Sequence, residues 1–333
     1  MQSIHRLSVA PMMERTDRFY RYFLRLITRH TLLYTEMITS AAVLNGDRDQ
    51  LLAFDAAEHP VALQLGGSEP GEMAACARIA EEHGFDEVNM NVGCPSKRVR
   101  AGRFGACLMA EPQRVADCVA AMASTVGIPV TVKTRIGIDE QDSYEALAAF
   151  VSLVAGHGCN TFIVHARKAW LTGLSPKQNR DVPPLRYDIV HQLKQDFPSL
   201  TIILNGGVTT LDQTRQHLSR LDGVMIGRAA YRDPYMLAQA DRQIFDTKSA
   251  APSRREIIEA YLPYAARELQ RGARLAHLTR HLTGLYLGQP GARAWRRAVS
   301  ALASIDGATE QDLLGAIPQC STQAAALAND AAA

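Results

Sequence analysis

The six cysteines of this 333-residue chain show no spacing that indicates a disulfide framework or a metal site. They stand at positions 76, 94, 107, 118, 159 and 320, without a CxxC or a repeated spacing, so neither a disulfide framework nor a zinc site is expected. No apolar run approaches the roughly 18 residues that a membrane helix needs. The first residues, MQSIHRLSVAPMM, lack the pattern of a signal peptide. These absences predict a soluble, reduced, cytoplasmic protein.

A strong charge of one sign is also absent, because the formal net charge is only +2. Residues 1–250 carry 27 Lys and Arg against 27 Asp and Glu, whereas residues 251–300 carry nine Arg and three Glu. Residues 301–333 carry four acids and no Lys or Arg. A neutral body with a basic segment is the footprint of a protein that binds a polyanion, although a solvated helical face would have the same composition.

Short β-rich runs alternate with longer helical patterns through the first 245 residues. Eight alternations predict a parallel sheet with right-handed crossovers, closed into a (β/α)8 TIM barrel. An open doubly wound sheet is the alternative, but no G-x-G-x-x-G follows the first strand. Strands are predicted over 7–12, 32–37, 61–67, 87–93, 130–137, 161–168, 201–207 and 223–229, with helices at 71–84, 112–125 and 142–158.

After residue 245 the hydrophobic pattern becomes helical. We predict a catalytic barrel over residues 1–245, a linker over 246–253, a small C-terminal helical bundle over 254–318 and a disordered tail over 319–333. The bundle begins with SRRE, a capping box formed by Ser253 and Glu256, and its first helix stops at Gly272. Further helices are predicted over 273–288, over 292–304 and from Thr309, where Asp312 completes the cap.

Polar residues and glycines mark the ends of the predicted strands, where the active sites of such barrels lie. Lys133 and Arg135 alternate with apolar neighbours, so both point the same way and need a polar or anionic partner. The residues at the strand ends are Pro11-Met12-Met13, Gln64, Asn91, Cys94, Lys133, Arg135, His165, Arg167, Asn205-Gly206-Gly207 and Gly227-Arg228.

Strands 7 and 8 end in NGG and GR, and barrels of this kind commonly bind a phosphate after these two strands. Glycines let backbone amides approach a phosphate and Arg228 adds a charged donor, although most Gly-Gly pairs are simply turns. The strand ends hold no acidic pair, no metal-ligand cluster and no evident hydrolytic set. Their amide, amine and imidazole groups, with one thiol, suit a phosphorylated aromatic cofactor and one proton donor.

A plainer interpretation exists for the cysteines and for His165. A free cysteine is usually a small buried hydrophobe, and we interpret those at positions 76, 107, 118 and 159 in that way. Cys94 differs because it lies between Gly93 and Pro95 and opens a long basic loop at the catalytic face. His165 alone would be a core histidine, but its place beside Lys133 favours a ligand contact.

Several stretches together resemble the tRNA-dihydrouridine synthases, which are flavoenzymes of the FMN-barrel superfamily. The resemblance covers about residues 5–310 and is most specific in VNMNVGCPSKRVRAGRFGACLM, where GCPS is followed by GxxGACLM. The stretch ARKAWLTGLSPKQNR and the C-terminal helices resemble the A-type bacterial branch. The other matching stretches are APMMERTDRFYR, LYTEM, VTVKTRIGID, NGGV and MIGRAAYRDP.

The resemblance implies FMN over the barrel mouth, NADPH as the reductant, and tRNA as the substrate. It also implies reduction of uridines 20 and 20a of the D loop to 5,6-dihydrouridine. Cys94 matches the family's proton donor, and no metal, membrane or obligate protein partner is expected. The residues that match flavin contacts are Pro11, Met12, Met13, Gln64, Lys133 and His165, and those that match phosphate contacts are Asn205, Gly206, Gly207, Gly227 and Arg228.

This chemistry explains a thiol at the mouth of a basic loop. Reduction of the uracil C5=C6 bond needs a hydride at C6 and a proton at C5 from the opposite face. An ordinary cysteine, with a pKa of about 8.5, is protonated near neutral pH and can donate that proton. A stacked base must be extruded to reach a barrel mouth, which brings its phosphates near the protein's cations. The predicted RNA contacts are Asn91, Lys97, Arg98, Arg100, Arg103, Lys177, Arg180, Arg293, Arg296 and Arg297.

The predicted helix over 292–304 supports RNA binding separately. Arg293, Arg296 and Arg297 fall on one face, opposite Trp295 and Val299. A solvated face would normally mix Lys, Glu and Arg, so three arginines without an acid favour phosphate contact.

Two other functions stay open. An FMN-barrel oxidoreductase that acts on a small molecule, such as a dihydroorotate dehydrogenase-like enzyme, has no use for an arginine-faced helical bundle. A non-catalytic tRNA-binding module would leave Cys94 and the phosphate-type strand ends unexplained.

Overall fold

The structure is a computed structural model that describes residues 3–305 and 307–318. It has two compact units. The first comprises the chain up to Arg18 together with His30–Gly227, and the second comprises Phe19–Arg29 together with the chain from Arg228 onward.

The first unit is a closed barrel of eight parallel strands in sequential order, with β8 hydrogen-bonded to β1. The predicted TIM barrel is therefore confirmed. Seven strands end one to three residues earlier than predicted, because the glycines and polar residues of the mouth have already left the hydrogen-bond ladder. The strands are β1 Leu7–Val9, β2 Leu32–Thr39, β3 Val61–Gly66, β4 Glu87–Val92, β5 Val130–Arg135, β6 Thr161–His165, β7 Thr201–Asn205 and β8 Gly223–Ile226.

Helices connect the strands and continue beyond the barrel. None of those within the described residues combines the length and apolar character of a membrane span. They are α1 Arg18–Ile27, α2 Ser40–Asn45, α3 Arg48–Leu51, α4 Pro70–Glu82, α5 Lys97–Ala101, α6 Pro112–Ala123, α7 Tyr144–Ala155, α8 Tyr187–Asp196, α9 Leu211–Leu218, α10 Arg228–Arg232, α11 Ala240–Gln243, α12 Arg254–Gln270, α13 Leu275–Thr279, α14 Ala292–Leu302 and α15 Asp312–Ala316.

The interior of the barrel is apolar on one side. Leu32 and Tyr34 of β2 pack with Ile163 of β6, Ile203 of β7 and Met225 of β8, and all five are buried. Strands on opposite sides of a barrel meet only in its interior, so this cluster is part of the barrel core. Burial of such apolar side chains provides the main driving force for closure.

The second unit is helical with an aromatic core. Tyr22 of α1 stacks on Tyr264 of α12 with ring centroids 3.7 Å apart, and Trp295 of α14 packs against Tyr286 at 4.9 Å. The compact unit thus includes α1 and the chain from Arg228, whereas the predicted bundle began at residue 254. This grouping depends on the aromatic face of α1, which no local pattern reveals. The predicted tail over 319–333 lies outside the described residues.

The capping box at the start of α12 is confirmed. Ser253 Oγ accepts a hydrogen bond from the Glu256 amide at 3.2 Å, and Glu256 Oε2 accepts one from the Ser253 amide at 2.7 Å. The Thr309 amide donates to Asp312 Oδ2 at 2.8 Å, but the helix predicted from Thr309 begins only at Asp312.

The predicted continuous helix over 273–288 is wrong. The structure has the short α13 followed by a 3-10 turn at Leu282–Gly284. Backbone carbonyls of this segment accept hydrogen bonds from side chains of neighbouring helices, which competes with a regular helical ladder. These bonds are Tyr261 Oη to Leu278, Trp295 Nε1 to Leu282 and Arg254 Nε to Leu285.

Candidate active site

The other side of the barrel interior is a column of polar side chains. Asn91 Nδ2 donates to Gln64 Oε1, Gln64 Nε2 to Asn89 Oδ1, and Asn89 Nδ2 to Thr131 Oγ1, each at 2.8 Å. Thr131 Oγ1 then donates to Glu87 Oε1 at 2.6 Å. Every donor points toward Glu87, so the carbonyl oxygen of each amide points toward the barrel mouth.

Glu87 anchors this column at the start of β4. It is fully buried, and Tyr34 Oη donates to its Oε1 at 2.6 Å while His5 Nε2 lies 3.4 Å from Oε2. Burial raises the pKa of Glu87, and burial together with Glu87 raises the pKa of Tyr34 well above its ordinary value. A buried carboxyl group needs such partners, and here they hold the lower end of the column.

At its upper end the column positions Cys94. Asn91 Oδ1 accepts hydrogen bonds from the amides of Gly93 at 3.1 Å and Cys94 at 3.0 Å. The Cys94 carbonyl accepts a hydrogen bond from the amide of Ala106 at 3.0 Å, which closes a loop over residues 93–106. We call it the acid loop because it carries Cys94, the predicted proton donor, and the name does not refer to the charge of the loop. These bonds hold the backbone of Cys94 at the barrel mouth, where its thiol is half-buried.

Gly105 is required for the acid loop to close. Its φ is +76°, and a Cβ there would lie 2.4 Å from Val99 Cγ1 and 2.7 Å from the Cys94 carbonyl oxygen. Any other residue would strain the backbone and push on Cys94. Within the loop, Ser96 Oγ caps α5 by accepting from the Val99 amide at 3.2 Å.

The basic residues of the acid loop fall into two groups. Lys97 and Arg98 are exposed, as an RNA contact requires. Arg100 Nη1 instead donates to the Leu171 carbonyl, and exposed Arg103 lies 3.7 Å from Glu111. Contact of all four residues with RNA stays a prediction.

Lys133 supplies a half-buried ammonium group at the end of β5. Its Nζ donates to Asn205 Oδ1 at 3.0 Å, and Asn205 Nδ2 donates to the Met225 carbonyl at 2.8 Å. Burial, assisted by neighbouring Arg135, lowers the pKa of Lys133 to about 7. Among the described residues no carboxylate pairs with this ammonium, so it suits an electron-rich or anionic ligand.

Arg135 has polar partners, as expected, and they are backbone carbonyls. Its Nε donates to Gly93 O at 2.8 Å, and its Nη1 donates to Lys168 O and Asn179 O, both at 3.1 Å. Burial lowers the pKa of Arg135 to about 10, which leaves it charged at neutral pH.

The chain after β6 is a long segment over residues 166–186. Fully buried Asn179 braces it, because Asn179 Oδ1 accepts from the Trp170 amide at 2.7 Å and Nδ2 donates to the Trp170 carbonyl at 2.9 Å. Lys177 is exposed and Arg180 is half-buried on either side of Asn179. Both predicted RNA contacts thus lie beside a residue whose side chain is hydrogen-bonded within the segment.

The glycines after β7 adopt backbone conformations that favour glycine. Gly206 has φ +115° and Gly207 has φ +74°. A Cβ on Gly206 would lie 2.7 Å from His165 Cδ2, so the imidazole ring packs directly against this backbone. Tyr187 Oη donates to the Gly206 carbonyl at 2.8 Å.

The remaining predicted cofactor contacts lie in the chain after β1 and after β8. Pro11 and Met12 are partly buried, whereas Met13 is 57% exposed. A Cβ on Gly227 would lie 4.0 Å from Met12 Sδ, so these two strand ends adjoin. Arg228 begins α10 and belongs to the second unit.

The predicted arginine face of α14 is confirmed as a surface feature. Arg293, Arg296 and Arg297 are exposed and, with Ser300, line a shallow depression. Trp295 and Val299 on the opposite side are fully buried. Whether RNA occupies the arginine face stays a prediction.

Sequence reasoning missed Glu87 and Asn89, and it assigned Arg135 no role. The alternation of Glu87, Asn89 and Asn91 in a fully buried strand was a usable signal, because polar residues at every second position share one face. The sequence around Asn179 has no comparable pattern that would mark it as a site residue. Among the described residues, no cluster of three or more His, Cys, Asp or Glu side chains could hold a metal ion.

Fold and site define a TIM barrel with a polar, thiol-bearing mouth. Its fold is similar to that of 2-naphthoyl-CoA reductase, with a TM-score of 0.54, 11% identity, and coverage of 71% of this chain and 49% of that chain. It is also similar to the old yellow enzyme homologue from Zymomonas mobilis, with a TM-score of 0.51, 13% identity, and coverage of 74% and 89%. At these identities the likeness shows a shared fold.

Sequence comparison is more specific. The dihydrouridine synthase family model matches residues 8–330. Proteins named tRNA-dihydrouridine(20/20a) synthase are 60% identical in Shewanella oneidensis, covering 90% of each chain, and 61% identical in Synechocystis sp., covering 90% of this chain and 89% of that one. The Escherichia coli K12 protein of that name is 57% identical, covering 91% and 88%. The chain belongs to the dihydrouridine synthase family, and the resemblance noted in its motifs is confirmed.

Proposed function

We propose that this protein reduces uridines 20 and 20a in the D loop of tRNA to 5,6-dihydrouridine, with FMN as cofactor and NADPH as reductant. Relatives that carry this activity in their names share 57–61% of their residues with the chain. The observation that carries the proposal is the thiol of Cys94, which a dedicated hydrogen-bonded column holds at a mouth rich in cationic and amide donors.

The residues of the mouth fit FMN. Within residues 3–305 and 307–318, Lys133 has no carboxylate partner, so its ammonium suits the electron-rich pyrimidine edge of a flavin. When bound, FMN supplies the hydride that reduces the uracil ring. The residues that would contact its ring are Pro11, Met12, Met13, Gln64, Lys133 and His165, and those that would contact its phosphate are Asn205, Gly206, Gly207, Gly227 and Arg228.

Cys94 donates the proton at uracil C5 in this proposal. A thiol is acidic enough to give up a proton to the developing enolate. The column from Glu87 to Asn91 holds the backbone of Cys94, so the thiol needs no large movement before it reacts.

The RNA contacts follow from charge and exposure. Lys97, Arg98, Lys177 and the three arginines of the arginine face are exposed cations that would meet phosphates around an extruded base. Arg100, Arg103 and Arg180 complete the proposed cations. Asn91 stays in the proposed set as a residue that acts on the extruded base through Cys94, because its own side chain is buried and engaged by Gln64, Gly93 and Cys94. Since the substrate is tRNA, we place the protein in the cytoplasm, and the proposal requires no metal, membrane or protein partner.

The test uses D-loop-containing tRNA transcribed in vitro, which carries no modification. Flavin-loaded protein is incubated with this tRNA and either NADPH or NADH, and nucleosides and RNase fragments are analysed by mass spectrometry. We expect two added hydrogens on each of uridines 20 and 20a, faster turnover with NADPH, and much slower product formation with Cys94→Ala. Absence of dihydrouridine would overturn the function, and a different position would overturn the assignment of 20 and 20a.

A further inference from the structure

Arg135 joins two separate parts of the mouth. Its side chain is only 3% exposed, and its three described hydrogen bonds all go to backbone carbonyls. One acceptor, Gly93 O, belongs to the acid loop, and the other two, Lys168 O and Asn179 O, belong to the 166–186 segment. Because this guanidinium group donates to carbonyls of both parts, it connects them, and we call it a brace.

On the acid-loop side, the brace acts next to the thiol. Gly93 immediately precedes Cys94, and both amides are already fixed by Asn91 Oδ1. The bond from Arg135 to Gly93 O therefore supplies the remaining restraint on the peptide that precedes Cys94. A displacement of this carbonyl rotates the backbone that carries the thiol.

On the other side, Arg135 binds the 166–186 segment close to two of the proposed RNA-binding cations. Asn179 lies two residues after Lys177 and directly before Arg180, and its side chain is locked to Trp170 by bonds of 2.7 and 2.9 Å. A phosphate that pulls on Lys177 or Arg180 therefore moves the Asn179 carbonyl as well. Arg100 adds a second link, because its Nη1 donates to the Leu171 carbonyl from within the acid loop.

We propose that Arg135 is a positioning residue that couples RNA contact at the 166–186 segment to the placement of the Cys94 thiol. The inference rests on the proposed function and deepens it, because it assigns the acid loop a response to bound tRNA. Lysine cannot replace arginine here, since one ammonium on a flexible stem does not reproduce a planar fork directed at three carbonyls.

Hydrogen exchange measured by mass spectrometry, with and without tRNA, tests the coupling in the flavin-loaded protein. In the wild type we expect tRNA to slow exchange in both the 166–186 segment and the acid loop, and to change the rate at which iodoacetamide alkylates Cys94. In Arg135→Lys we expect tRNA still to protect the 166–186 segment and the part of the acid loop whose cations contact RNA directly, but no longer to slow exchange of the Gly93 and Cys94 amides or to change the alkylation rate of Cys94. Arg186→Lys is the matched control, because that exposed arginine of the same segment pairs with Asp188, and it should respond as the wild type does.

Kinetics separate positioning from direct RNA contact. We expect the single-turnover rate of dihydrouridine formation to fall about 10- to 100-fold in Arg135→Lys, since misplacement of a reacting group by about 1 Å has effects of that size. The Kd for tRNA should change less than about threefold, because the brace itself touches backbone. A large loss of tRNA affinity with a normal single-turnover rate would mean that Arg135 contacts RNA and would overturn the proposal.

Asn179→Ser provides an independent variant if Arg135→Lys does not fold. It removes the lock on Trp170 and leaves Arg135 in place, so the same loss of response at Gly93 and Cys94 is expected. A wild-type response of the Gly93 and Cys94 amides and of Cys94 alkylation in either folded variant overturns the coupling. Failure of the proposed function is distinguishable, because the wild-type protein itself would then form no dihydrouridine.

Discussion

The acid loop and the arginine face of α14 share a sequence signature but differ in construction. Both concentrate cations with few acids nearby. In the acid loop, Arg100 and Arg103 have partners within the protein, and the backbone is fixed by Asn91 and by the conformation of Gly105. The arginine face presents three exposed guanidinium groups on a helix anchored by Trp295.

We expect clustered cations to serve a different purpose in each of these two regions. In the acid loop the proposed chemistry depends on the position of the Cys94 thiol, so we expect displacements of a fraction of an ångström to matter. On the arginine face the attraction to a polyanion depends mainly on charge, which tolerates movement and is screened by salt.

The largest effect is expected for Cys94→Ala. Oxidation of the reduced flavin by tRNA should slow about 10²- to 10⁴-fold, the usual contribution of a general acid, while flavin reduction by NADPH stays close to the wild-type rate. Stopped-flow absorbance measures both half-reactions. Cys94→Ser should restore little, because an alcohol is a much weaker acid than a thiol. Near-normal reoxidation in Cys94→Ala would remove Cys94 from catalysis.

The second prediction concerns the arginine face. Replacement of Arg293, Arg296 and Arg297 by Ala should reduce the slope of log K against log salt by about 2, and should lower tRNA affinity roughly 100-fold at low salt. Filter binding across a salt series measures both quantities. Arg255→Ala is the control, since that exposed arginine of α12 pairs with Glu259. An unchanged salt slope in the triple variant would separate the arginine face from RNA binding.

The third prediction concerns the shape of the acid loop. Gly105→Ala should lower the free energy of unfolding by about 1–3 kcal/mol, because a left-handed backbone and a contact with the Cys94 carbonyl are both strained. It should also change the alkylation rate of Cys94. Gly71→Ala is the control, because a Cβ there meets nothing within 4 Å, and chemical denaturation compares the two. Equal stability of both variants would contradict the proposed constraint.

Measured per pH unit, the smallest effect is the pH slope of stability due to Lys133. An unfolded lysine loses its proton near pH 10.4, whereas burial lowers the pKa of folded Lys133 to about 7. Between these values the unfolded state binds more protons, so stability contributed at this site rises with pH. Relative to Lys133→Met, the flavin-free wild type should gain up to about 1.4 kcal/mol per pH unit between pH 7 and 10.

Below pH 7 this difference should be constant, because Lys133 is then protonated in both states. Denaturation of both proteins across the pH range measures it. Loading with FMN should flatten the slope if the cofactor holds Lys133 in its charged form. A wild type that loses stability relative to Lys133→Met as pH rises would contradict the sign.

Much of the site could be predicted from the sequence, because strand ends converge in a parallel barrel. Cys94, Lys133, His165 and Asn205 were all expected at the mouth, and their strands lie in order around it. The role of Arg135 could not be predicted, because its acceptors are backbone carbonyls at residues 93, 168 and 179, which have no side-chain signature.

Most of the local secondary structure of this chain follows from the sequence alone. Apolar alternation, helix caps and glycine breaks specified eight strands and the start of α12, since these depend on interactions between residues close in the chain. Family motifs added the proposed proton donor, Cys94. Tertiary structure decided the direction of the amide column from Asn91 to Glu87, the packing of α1 with the C-terminal helices, and the brace at Arg135. Each of these joins residues far apart in sequence, and such contacts exist only once the chain has closed on itself.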